Sequence, residues 1–127
     1  MNIQLIMAVA AGGALGSVAR YLAGIASGKL FGFDFPWGTF FINIAGSFLI
    51  GLLAESFALK WDASQAVRAF LIVGICGGFT TFSTFSLDSY VLMQRGEMWA
   101  AAGYIAGSTA LSIGALFAGL HVVRAMV

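Results

Sequence analysis

Apolar positions in this chain fall into four long blocks, not into the amphipathic stripes of a soluble helix. The blocks cover about residues 3–26, 38–59, 67–93 and 98–123. Each is close to the ~20 residues that a helix needs to cross a bilayer. Between them, "SGKLFGFDFPW", "KWDASQA" and "QRGE" hold the turn residues and most of the charges. The pattern predicts an all-α integral membrane protein, with four transmembrane helices in a single domain over residues 1–127. No Lys or Arg precedes the first block, and its apolar run is long for a secretory signal, so it reads as a span that is kept.

The third block is the odd one. Its middle reads "GGFTTFSTFS", from Gly77 to Ser86, with five hydroxyls among ten residues and Phe at every third position. Two readings of Gly77-Gly78 are open. An unbroken helix there would use the glycines to pack closely against a neighbour. A helix broken there would free backbone carbonyls, tolerated at that depth only when a neighbour, water or an ion satisfies them.

Composition removes most other classes. The chain is 61% hydrophobic and 9% charged, with a mean hydropathy of +0.98, too little charge to cover a solvated surface. A net charge of +1 without a Lys/Arg cluster gives no field for nucleic acid. The single cysteine, Cys76, excludes an intrachain disulfide and a thiolate-rich metal site. The single histidine, His121, has no acid or nucleophile motif beside it, so no enzyme and no catalytic residue is expected. Seventeen glycines against one proline suit helices packed through small residues. The G-x-x-x-G pairs Gly12/Gly16 and Gly103/Gly107, the second continued by Ala110 and Gly114, are the expected contacts.

Charge leaves the orientation open. If the spans alternate, Lys60, Arg68 and Arg124 share one side, and Arg20, Lys29 and Arg95 the other. Either one charge dominates and fixes a single topology, or the chain inserts both ways. The second case leads to an antiparallel homodimer with its two-fold axis in the membrane plane.

Polar residues inside a span point to a transport path. Here they are Asn43, the hydroxyl run that includes Thr81 and Ser83, and the trio Tyr104, Ser108 and Ser112. The trio is spaced by four and so lines one face of the fourth helix. Such hydroxyls either bond back to the preceding turn or form a polar file. The acids Asp34, Glu55, Asp62 and Glu97 sit near block ends, with Asp88 late in the third block. Neutral donors without a deep carboxylate suit a small anion. Phenylalanine adds its ring edge, the positive part of its quadrupole. Phe82 and Phe85 lie about 60° apart around a helix, so both edges could face one file. In an antiparallel dimer, breaks near Gly77-Gly78 would meet at the axis, and four carbonyls there would suit a hard cation such as Na⁺.

The motifs "GGALGSVARY", "PWGTFFINIAGSFLIG" and "GGFTTFSTFS" resemble the Fluc/CrcB family of fluoride ion channels over nearly the whole chain. The resemblance implies a passive channel in the bacterial inner membrane that lets fluoride leave the cell. It implies an antiparallel homodimer with two pores. By position, Phe82 and Phe85 match the family's pore phenylalanines, Asn43 its second-span asparagine, and Tyr104, Ser108 and Ser112 its fourth-span polar track. Gly77 and Thr80 match the break whose carbonyls hold a structural Na⁺, and Arg20 matches an arginine near the pore entrance. Asp88 stands where that family often carries Glu, and Phe79 where it often carries Leu.

Two other classes compete. Small multidrug exporters also have four spans, but they exchange protons through a carboxylate deep in the first span, which here contains no Asp or Glu. A membrane scaffold that packs a partner through its glycine faces would leave the hydroxyl and phenylalanine file unexplained.

Overall fold

The computed structural model describes residues 2–127 and contains four helices long and apolar enough to cross a membrane. They are α1 (Ile3–Phe31), α2 (Trp37–Leu59), a composite third span over Gln65–Gln94, and α6 (Met98–Met126). Helix α1 outruns the apolar block because Ser27, Gly28 and Lys29 offer no break. It stops at Gly32, whose φ of 83° closes the helix and whose amide donates to the Gly28 carbonyl. At the other end the Asn2 side chain caps α1 by accepting from the Gln4 amide at 2.8 Å.

The third span is built from several pieces. Ser64 caps a short α3 (Gln65–Arg68), which runs into a π-helical stretch over Ala69–Cys76 and then α4 (Gly77–Phe79). Thr80 and Thr81 are extended, with φ/ψ of −85°/158° and −152°/122°, before α5 (Phe82–Gln94) resumes. The break therefore falls three residues later than the Gly77-Gly78 pair suggests. Gly77 itself is helical, at φ −64° and ψ −38°. β-Branched threonines favour extended backbone, so they take the break, while the glycines before it serve packing. A β-carbon at Gly78 would lie 2.7 Å from the Gly13 carbonyl oxygen. The packed-helix and broken-helix readings both hold, at neighbouring positions.

Two backbone-to-backbone contacts bring the helices together. On α1, a β-carbon at Gly12 would meet the Phe70 carbonyl oxygen at 2.4 Å, and one at Gly16 the Ile75 carbonyl oxygen at 2.2 Å. Gly12/Gly16 thus seats α1 on the π-helical stretch. Between α2 and α6 the residues are Gly51 and Gly119: a β-carbon at Gly51 would lie 2.2 Å from the Leu116 carbonyl oxygen. The expected Gly103/Gly107 pair makes no such contact among the described residues. Gly103 and Gly114 face open space, and Gly107 meets no more than the edge of Phe40. Spacing identified a small-residue motif on α6 but not which small residue touches α2.

α2 and α6 run parallel. Phe40 and Tyr104 pair near one end, Gly51 and Gly119 meet further along, and Glu55 accepts from Arg124 near the other. At the first end Arg95 ties two loops together, donating to the Asp34 carbonyl and pairing with Glu97 at 2.6 Å. Arg20 lies in the middle of α1 and donates to the Gly78 carbonyl, so it is not a loop charge. The balance at the span ends becomes three cations against two.

The stability of the α2–α6 contact is directly testable. Gly51→Ala should cost about 1–3 kcal/mol, since neither backbone can yield. Gly114→Ala, which meets open space in the chain, should cost far less. Thermal unfolding in detergent measures both, and equal losses would contradict the contact.

Candidate functional site

The break disturbs four helical hydrogen bonds, because an α-helix pairs each amide with the carbonyl four residues earlier. The Thr81 amide would close on the Gly77 carbonyl. It donates instead to Asn43 Oδ1 at 2.8 Å, and Asn43 Nδ2 donates to the Thr81 carbonyl at 3.1 Å. One side-chain amide from α2 thereby pairs the freed Thr81 amide and adds a second donor to the Thr81 carbonyl, which also closes the first turn of α5. The Thr84 amide would close on the Thr80 carbonyl but is capped by Thr81 Oγ1 at 3.1 Å. Arg20 Nε takes the Gly78 carbonyl at 3.0 Å, and Thr80 Oγ1 bonds back to the Cys76 carbonyl at 2.9 Å. The carbonyls of Gly77 and Thr80 thus lose their helical donors, and Gly77 lies exposed on the surface of the chain.

α2 seats the break. Gly46 leaves room for the Thr80 methyl, which a β-carbon would approach to 2.2 Å. Three residues earlier, Asn43 faces Thr81 from the same helix.

Beside the break lies a groove of about 310 Å³ between α2, α5 and α6. It gathers Asn43, Thr80, Thr81, Phe82 and Phe85 with Ser108 and Ser112, and no charged residue lines it. Ser108 and Ser112 carry buried hydroxyls without a hydrogen-bond partner among the described residues. They differ in this from Ser86, Ser89 and Thr109, which each bond back to the carbonyl four residues earlier. The back-bond, one of the two readings left open for the α6 hydroxyls, is not made at Ser108 or Ser112. Buried hydroxyls without partners are costly, so a groove that holds two calls for a ligand or water that accepts from them.

The two phenylalanines differ in setting. Phe85 packs on Tyr104, with ring centroids 5.1 Å apart, and Phe82 lies 5.6 Å from Phe85. Phe82 is 77% exposed. Tyr104 is fully buried, outside the groove lining, and donates to Asp88 Oδ2 at 3.0 Å. The sequence stripe Tyr104–Ser108–Ser112 therefore divides, with the tyrosine held by a carboxylate and the serines open. Ser83 is not among the groove-lining residues; its hydroxyl lies 3.4 Å from Thr81 Oγ1.

A second groove of about 400 Å³ opens on the other side of Thr81, between α1, α2 and α5. Arg20, Tyr21, Thr39, Thr84 and Asp88 join Thr81 in its polar lining. Thr81 lines both grooves and is the point at which they meet. Thr39 and Ser47 were not singled out by sequence reasoning. Ser47 follows Asn43 by four, the same-face spacing that drew attention to the α6 stripe, so the signal was present on α2 as well.

Among the described residues no group of three His, Cys, Asp or Glu could hold a metal ion. The backbone carbonyls of Gly77 and Thr80, without helical donors, are neutral hard oxygens.

These features define a multi-pass membrane protein with a neutral, hydroxyl-lined groove at a broken helix. The family described as CrcB-like protein, Camphor Resistance (CrcB), matches residues 7–120. The protein named fluoride-specific ion channel FluC 1 of Nitrobacter hamburgensis is 64% identical over 99% of this chain and 100% of its own length. FluC of Nitrobacter winogradskyi is 63% identical over 98% of each chain, and FluC of Rhodospirillum centenum 52% identical over 98% of this chain and 99% of its own. The chain belongs to the CrcB family, whose relatives here are named as ion channels and not as enzymes.

The weight placed on Asn43 can be measured. Asn43→Leu would leave the Thr81 amide unpaired and its carbonyl with the helical donor alone, at about 1–3 kcal/mol for the lost amide partner. A large drop in the thermal unfolding temperature of the purified protein is expected. A wild-type temperature would mean that the break is held by something else.

Proposed function

We propose that this protein is a passive, fluoride-selective channel that lets cytoplasmic fluoride leave the bacterial cell across its inner membrane. The observation that carries the reading is the pair of unpartnered hydroxyls, Ser108 and Ser112, facing the neutral groove beside Asn43 and Phe85. A small anion surrendering hydration water there meets hydroxyl donors and ring edges. A buried lysine would bind it too tightly to release. The names of the close relatives supply the identity of the anion. Fluoride crosses lipid as neutral HF from acidic surroundings and ionises inside, so a passive path for the anion runs outward.

The working form is an antiparallel homodimer with two pores, one along each groove. The exposure of Phe82 and Gly77 supports this, because each chain leaves half of its phenylalanine pair and its freed carbonyl uncovered. A near-even distribution of charge at the span ends is compatible with insertion in both directions. At the two-fold axis, Gly77 and Thr80 of both copies hold one structural Na⁺ through their carbonyls. The ion neutralises converging dipoles and is not transported. Arg20, with Thr84 and Thr39, lines the approach to Thr81 from the second groove.

Neither rival reading gains support. The groove has no carboxylate for proton exchange, and a scaffold needs no unpartnered hydroxyls.

Purified protein in liposomes should release fluoride without an energy source and far faster than chloride, with Phe82→Ile reducing the rate by more than about tenfold. Well-incorporated dimers that release no fluoride would remove the proposal. Replacing Na⁺ on both sides by a bulky organic cation should inactivate the protein, and unchanged flux would remove the central ion.

A further inference from the structure

The α6 hydroxyls share the groove with a row on α2 whose one hydroxyl, Ser47, has no role in the reading above. Asn43, Ser47 and Ile50 follow one another at helical spacing on α2, and all three line the groove with Ser108 and Ser112. Because α2 and α6 run parallel, these rows advance together. Phe40 meets Gly107 near one level, and Gly51 meets Leu116 and Gly119 further along. Ser47 lies between Phe40 and Gly51 on α2, and Ser112 between Gly107 and Leu116 on α6. The two serines therefore share a stretch of the groove on the side of the break that leads toward Leu59 and Met126.

Asn43 is held at the break, where its oxygen and one of its two N–H groups bond the Thr81 backbone. Beyond it, α2 contributes one hydroxyl and then the apolar Ile50, while α6 contributes Ser112 and then Ile113. Ser47 and Ser112 are the last polar groups of the lining in that direction. Ser47 makes no back-bond of the kind seen at Ser86, Ser89 and Thr109 among the described residues.

Resting on the channel reading, we propose that Ser47 is a ligand of the transported anion. Its hydroxyl donates from α2 while Ser112 donates from α6, forming a binding position between Thr81 and the apolar mouth at Ile50 and Ile113. A two-sided position suits an ion in transit, because the anion leaving Thr81 exchanges one set of neutral donors for another before meeting water.

The test compares Ser47→Ala and Ser47→Thr with the wild-type protein, each purified as a single species with an unchanged unfolding temperature and reconstituted into liposomes. At low fluoride, Ser47→Ala should reduce efflux about tenfold, as loss of a donor to a charged ligand implies, while Ser47→Thr stays within about twofold of wild type. Ser112→Ala should match the alanine variant at Ser47. If Ser47→Ala conducts like wild type, or if the Ala and Thr variants fall equally, Ser47 is not a ligand, and the channel reading stands without it. A wild-type protein that releases no fluoride overturns the channel reading itself and this inference with it.

Discussion

The pair of hydrogen bonds between the Asn43 amide and the Thr81 backbone is the interaction on which the rest depends. A membrane span cannot interrupt its helix without satisfying the groups it frees, because hydrocarbon offers no water. Asn43 supplies one acceptor and one donor to the same residue, at 2.8 and 3.1 Å. Thr81 can therefore remain extended at depth. With that fixed, Thr81 Oγ1 caps α5, Arg20 covers Gly78, and Gly77 and Thr80 keep carbonyls without helical donors.

The same constraint explains where the grooves lie. Two extended residues displace α5 from the line of α4 and leave space on both sides of Thr81. Close glycine contacts hold the neighbours rigid around that space. Gly12 and Gly16 fix α1 on the π-helical stretch, and Gly51 and Gly119 fix α2 on α6. These contacts are made backbone to backbone, as expected where lipid gives helices no hydrophobic reason to associate. Charge is kept out of the inner groove and placed at its margins, with Arg20 on a carbonyl and Asp88 on the Tyr104 hydroxyl.

Much of this was legible in the residues. Four apolar blocks located four spans, and the run Gly77–Ser86 located the interruption, because five hydroxyls in an apolar span need a reason. What the sequence left ambiguous was which residue breaks the helix. Glycine permits both close packing and unusual backbone, and here it does the first while the threonines do the second. Spacing also overstated the α6 stripe. Tyr104 shares a face with Ser108 and Ser112, but its hydroxyl is bound by Asp88, a pairing between residues sixteen apart that periodicity does not reveal. The Gly103/Gly107 motif likewise named a small-residue face without saying which neighbour approaches it, and within the chain α2 is met by Gly119 instead. Arg20, counted from sequence with the charges of one side, instead serves a carbonyl within the membrane that lost its helical donor when the helix broke.

The central claim is that one neutral amide both holds the break and leaves an anion path beside it. Asn43→Asp is the sharpest probe, because it keeps the acceptor for the Thr81 amide, removes the donor to the Thr81 carbonyl, and puts negative charge at the groove. The measurement is fluoride efflux from liposomes at neutral pH, with dimer assembly verified beforehand. The account predicts assembled protein with flux lost. Wild-type flux from the aspartate variant would contradict it, since neither the amide donor nor the neutrality of the groove would then matter.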